Sequence, residues 1–190
     1  MKKGLGILLV ILAIVVAIII AAVSGYNGLV DSEESVENAK SQISNQLQRR
    51  ADLIPNFVNT VKGYSDYESE TYKAVTEARS AVANANTVAK QSEASAELDK
   101  AISVWVNAVT ENYPDLKANT QYTALLNELA GTENRLAFAR KDYNDAAKNF
   151  NASIRKFPRS IIAGIFGFEK YDYFENDESA NSVPEVNFND

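Results

Sequence analysis

The sequence contains no cysteine and no histidine, and its 190 residues include only eight glycines, four prolines and one tryptophan. Without cysteine there is no disulfide, no thiolate nucleophile and no cysteine metal site. Without histidine the commonest general base and the commonest nitrogen ligand are gone, so zinc and copper chemistry lack their usual donors. A formal net charge of −6 argues against a nucleic-acid partner, because phosphate contacts need clustered Lys and Arg. No glycine-rich phosphate loop, nucleophile elbow or Glu-x-x-His pair occurs. Accordingly no catalytic, cofactor-binding or metal-binding residue is assigned. So few glycines and prolines favour long regular helices over a turn-rich sheet fold.

One long apolar run is present. From Leu5 to Val23 no residue is charged, and almost all are Ile, Leu, Val or Ala. A helix needs about 20 such residues to cross a hydrocarbon core. The alternative is a cleaved signal peptide, for which Ala22-Val23-Ser24 has the small-x-small form. The run is longer than the roughly 7–15 apolar residues of such a peptide, which favours a retained anchor. Lys2 and Lys3 precede it, whereas Asp31, Glu33, Glu34 and Glu37 follow before the first cation, Lys40. The positive-inside rule then puts the N-terminus in the cytoplasm and the body outside.

Beyond the anchor the periodicity is helical. Leu29, Val36, Ala39, Ile43, Leu47, Ile54, Val58 and Val61 form one stripe on a first helix from about Tyr26 to Val61. Pro55 should kink or break it, with Asp52 placed to cap a restarted segment. A second helix is expected after Gly63, with Ser65 and Glu68 in capping-box spacing, and it carries Tyr72, Val75, Arg79 and Val82. After a turn at Asn84–Gln91, Ser92 opens a third helix with Leu98, Ile102, Trp105 and Val109 on one face, and Pro114 ends it. In the fourth helix Tyr122, Leu129, Leu136, Tyr143, Phe150 and Phe157 recur every seventh residue, which argues coiled-coil-like packing over roughly 60 Å, ending at Pro158. The predicted fold is all-α: a transmembrane helix (1–25), then an elongated antiparallel four-helix bundle with an apolar C-terminal segment (26–168). Helices 1 and 4 are long and helices 2 and 3 short. An acidic, flexible tail (169–190) follows, within which Val183–Val186 is a candidate added strand.

Two groups of residues stand out. Arg49, Arg50 and Asp52 interrupt the stripe of the first helix, and Glu77, Arg79, Glu133 and Arg140 are charges on the other helices able to answer them. An interhelical network that fixes register is the expected role, with a cleft that grips a partner's peptide as the alternative. Carboxylate pairs such as Glu68 with Glu70, or Glu111 with Asp115, read as solvated helix faces and not as acid–base catalysts. The second group is IIAGIFGF, residues 161–168. It is too short to span a bilayer and, after an even number of antiparallel helices, should lie near it. Ile161, Ile162, Ile165, Phe166 and Phe168 either dip into lipid or cover the open end of the helices.

Several stretches resemble the LemA family: Tyr26-Asn27-x-Leu29-Val30, QLQRRADLIPNFVNTVKGY (46–64), Val75–Arg79, YPDLKAN (113–119), Gly131–Arg135, Tyr143-Asn144, Phe157-Pro158 and IIAGIFGF. They run in order from the anchor to about Phe174. The resemblance implies a bacterial single-pass membrane protein with an elongated antiparallel helical bundle and no established enzymatic activity. Some such proteins are linked to membrane-protease systems or to building membrane-bound organelles. The expected function is therefore a structural or interaction role at the cell membrane, with the bilayer and an unidentified protein as partners. A lipid-binding or membrane-remodelling role through Ile161–Phe168 and a carboxylate enzyme in a helical cleft are the alternatives. Periodicity leaves the oligomeric state open.

Overall fold

The computed structural model describes residues 2–62 and 70–174. Among these residues the regular structure is entirely helical: α1 (Lys2–Lys62), α2 (Glu70–Asn84), α3 (Val88–Asn112), a 3-10 turn (Pro114–Ala118), α4 (Thr120–Ser153) and α5 (Arg159–Phe166). Anchor and first body helix are one element of 61 residues, about 90 Å long. Its first part holds the one described stretch long and apolar enough to cross a membrane. Every large apolar side chain from Ile7 to Val23 is exposed there, so nothing among the described residues covers them.

From Leu29 onward α1 turns a buried face to the rest of the chain. Leu29, Val36, Ile43, Arg50 and Phe57 are all buried, and they lie seven residues apart. On α4 the matching set is Tyr122, Leu129, Leu136, Tyr143 and Phe150. Two seven-residue stripes facing one another give the long antiparallel pair α1–α4. On α3 the stripe Leu98, Ile102, Trp105 and Val109 is buried, and on α2 Val75, Ala78 and Val82 are. Phe57 of α1 packs against Trp105 of α3 (4.9 Å) and Tyr122 of α4 (5.0 Å), joining three helices away from the anchor. Such ring pairs contribute about 0.5–1.5 kcal/mol beyond area burial.

Several sequence expectations shift. Pro55 lies inside α1 without ending it; buried Ile54, Phe57 and Val58 around it outweigh one missing N–H bond. Asp52 therefore caps nothing, and accepts a hydrogen bond from Gln48 Nε2 at 2.9 Å. α3 begins at Val88, not Ser92, because Thr87 Oγ1 accepts from the Lys90 amide as N-cap, which draws Gln91 into the helix. α4 starts where Asn119 Oδ1 accepts from the amides of Gln121 and Tyr122. It ends at Ser153, four residues short of Phe157, and the turn that follows leaves Phe157 82% exposed, so the seven-residue pattern misleads at its last member. The Ser65–Glu68 capping box and the Val183–Val186 strand lie outside the described residues.

Candidate functional site

Three places gather the chain's chemically notable side chains. The first is the core position that Arg50 occupies. Its guanidinium, with the side chain only 7% exposed, pairs with Asp99 of α3 at 2.9 Å and with Glu133 of α4. Burial pulls its pKa below the ordinary arginine value, opposed by the Asp99 charge. Arg140 bonds the Ser95 hydroxyl and lies 4.0 Å from the second oxygen of Asp99. Two cations and two carboxylates thus tie α1, α3 and α4 at one level.

The remaining candidates lie around this centre without entering it. Arg49 reaches across to Glu128 (2.8 Å), which Arg135 also holds at 2.8 Å; the hydrogen bond from Arg49 keeps the Glu128 carboxyl below its usual range. Arg79 of α2 donates to the Ala51 carbonyl at 3.0 Å, binding α2 to α1. Asp52 and Glu77 are exposed, Glu77 beside a shallow groove of about 620 Å³ between α2 and α3. Glu70, Glu111 and Asp115 are exposed too, and Glu68 lies outside the described residues. Among the described residues no cluster of carboxylates could hold a metal ion. Sequence reasoning missed Asp99, Glu128 and Ser95. Asp99 follows the buried Leu98, and that adjacency was its only signal.

The second place is the junction of α1 and α5. Ile162 and Ala163 are buried against Leu29, while Ile161, Ile165 and Phe166 are exposed. Tyr26 stacks on Phe166 (4.7 Å) and Phe168 (5.8 Å). Contact is close because Gly25 has no side chain: a Cβ there would lie 2.6 Å from Ile162 Cδ1. So α5 sits directly after the apolar segment of α1, with one face on the protein and the other open.

The third place lies in the segment that composition assigns to the tail. Gly167, with φ +76°, ends α5, and residues 168–174 run back beside α4. Phe174 is buried, and Tyr171 stacks on Phe150 at 5.3 Å. The Tyr143 hydroxyl donates to the Asp172 carbonyl at 2.9 Å. Burial pushes the Tyr143 phenol up to about 12; for Tyr171 burial, then the Glu37 carboxylate, acts in the same direction.

A family model described as the LemA family matches residues 39–188. The chain is 30% identical over 139 residues to "Protein LemA" of Metamycoplasma hominis, covering 72% of this chain and 63% of that protein, less than two thirds of its length. It is 24% identical to each of two magnetosome proteins, MamQ 1 and MamQ 2, of Paramagnetospirillum magneticum, covering 84% of this chain and 67% of each. With the MamQ magnetosome protein of Magnetospirillum gryphiswaldense identity is 23%, over 96% of this chain and 78% of that protein.

Proposed function

The chain belongs to the LemA family, and from that premise we propose that it is a membrane-anchored scaffold. In this reading α1 is fixed in the bilayer by residues 6–23, and a four-helix bundle built on its outer part offers surfaces to a protein partner. The observation that carries it is the continuity of α1. A helix that runs without interruption from the apolar segment into the buried core makes anchor and body one shaft. From Val23 to Val61 it would hold the far end of the body about 57 Å from the membrane boundary. The buried charges fit register-setting, not turnover: each is answered by an opposite charge or a hydroxyl, as a structural network requires. The names of the magnetosome relatives are compatible with a role in organising a cell structure.

Flanking charge orients the shaft with its N-terminus in the cytoplasm and the body outside. The test places a photo-crosslinking residue in the full chain in cells at Phe138 or Val104, exposed apolar positions on α4 and α3. A discrete higher-mass adduct, unchanged by Glu70→Ala or Glu111→Ala, is expected. Absence of any adduct from these faces, with activity that depends on one acidic pair, would overturn the scaffold reading. In the same cells, single cysteines at Ser103 and Lys3 report orientation to an impermeant maleimide; label at Ser103 alone is expected.

The open face of α5 favours a second reading, that the chain also acts on lipid. Ile161, Ile165 and Phe166 are exposed beside the anchor, as an interfacial helix requires. Vesicles carrying the full chain should then change diameter, and Ile165→Asp with Phe166→Asp should cancel the change.

A further inference from the structure

The segment after α5 is held by main-chain recognition. Asn151 donates from Nδ2 to the Tyr171 carbonyl (2.8 Å) and accepts at Oδ1 from the Tyr171 amide (2.9 Å). Asn144 does the same to Phe174, at 3.0 and 2.8 Å. Each asparagine thus satisfies both backbone groups of one residue, as a neighbouring β-strand would. The spacing explains the fit. Seven residues of helix rise about 10.5 Å, and three residues of extended chain span about 10 Å. One face of α4 therefore reads every third residue of an extended peptide running antiparallel to it.

Side-chain selection is confined to the same two residues. Tyr171 stacks edge-on against Phe150, and Phe174 meets Tyr143 at 5.6 Å and 86°. Asp172 and Tyr173 between them are exposed, as are Glu169 and Lys170 before them. The groove thus selects aromatic-x-x-aromatic and is indifferent to what lies between. None of these contacts depends on the peptide belonging to the same chain.

We propose that the α4 face at Asn144 and Asn151 is a peptide-docking groove that accepts the Tyr171–Phe174 segment of a second copy in exchange for its own. The occupant follows from the molecule itself, since the peptide seated in the groove is one every copy carries. Exchange conserves the contacts of Tyr171 and Phe174 with Asn151, Phe150, Asn144 and Tyr143, while Phe168 stays on its own Tyr26 and the exposed Glu169 and Lys170 form the hinge. Anchored neighbours present the segment at the height of the groove; that point rests on the anchored reading above, whereas the groove does not.

The test uses two full-length chains reconstituted together in lipid vesicles. One carries Lys148→Cys, on α4 between the two asparagines, and the other carries Tyr173→Cys; the protein has no other cysteine. Mild oxidation should give an interchain disulfide. Asn144→Leu with Asn151→Leu on the groove chain should lower its yield about tenfold or more, since four main-chain hydrogen bonds are lost. Should that variant lose helical circular dichroism, Tyr171→Ser with Phe174→Ser on the other chain makes the same test with the groove intact. A synthetic peptide of residues 168–177 should compete, and one with both aromatics replaced by serine should not. Failure of the mixed chains to link, while one chain carrying both cysteines closes on itself, would make the segment a fixed part of its own fold and overturn the proposal. A dimer indifferent to both sets of substitutions would overturn it as chance collision.

Discussion

Replacing Asp99 and Glu133 by their amides should destabilise the protein more than removing Arg50, the residue they surround. The Arg50 side chain is 7% exposed, and its partners are 28% and 39% exposed. Asp99→Asn with Glu133→Gln leaves a guanidinium buried with neither countercharge, a condition that costs about 3–5 kcal/mol. Arg50→Met substitutes a flexible apolar side chain at a core position of the α1 stripe. It frees two carboxylates whose side chains are partly exposed but whose oxygens facing Arg50, Asp99 Oδ1 and Glu133 Oε2, are buried, and Arg140 remains near Asp99. That exchange should cost less than the double amide, about 1–3 kcal/mol, because the charges it leaves unpaired are partly exposed while the guanidinium is almost wholly buried. The assay is urea unfolding of the full chain in detergent, followed by circular dichroism. The Arg50→Met midpoint should fall only part of the way from that of the parent to that of the double amide. Equal loss in both variants, or no loss in the double amide, would refute the claim that burial of Arg50 governs this centre.

The stripe on α4 makes a contrast. Phe150→Ala, at a fully buried position, should cost about 3–5 kcal/mol, and Phe157→Ala less than about 0.5 kcal/mol, both read from urea midpoints. Gly25→Leu should push α5 from α1 and speed hydrogen exchange of its amides, while Gly25→Ala is absorbed by a shift of the Ile162 methyl. Tyr143 adds a pH dependence. Its folded pKa, about 12, lies above the ordinary value of 10.0, so its contribution is complete below pH 10 and is lost as pH rises to about 12. A melting curve followed through that window should fall more steeply in the parent than in Tyr143→Phe.

How far the fold could be read before the coordinates depended on which force set each feature. The apolar segment and the stripes of α1, α3 and α4 were legible, because burial of one helix face writes a repeat into the sequence. The core charge was legible only in part: Arg49, Arg50 and Asp52 read together as an interhelical network, and the seven-residue spacing of Arg50 from Ile43 and Phe57 that singles it out was passed over. Its partner Asp99 was not, since the pairing depends on which face α3 presents and no local pattern encodes that. Helix ends misled where side-chain caps competed with the larger pattern, as Thr87 did ahead of Ser92. The segment at 171–174 looked like mobile tail because its composition is polar and acidic. What holds it are asparagines 144 and 151, which repeat at the heptad interval beside Tyr143 and Phe150. That repeat lies on the flank of the apolar stripe, where a search for apolar residues alone passes over it.

In the anchored reading α1 stands the body upright on the bilayer, with α5 at its foot. Trp105 is the protein's one tryptophan, and it packs on Phe57, 34 residues of helix beyond Val23. Quenching by brominated lipid in vesicles carrying the full chain should therefore leave Trp105 unaffected. In a Trp105→Phe, Phe166→Trp chain the tryptophan at the foot should be strongly quenched. Quenching of Trp105 in the parent chain would mean that the body lies along the membrane and would contradict the account.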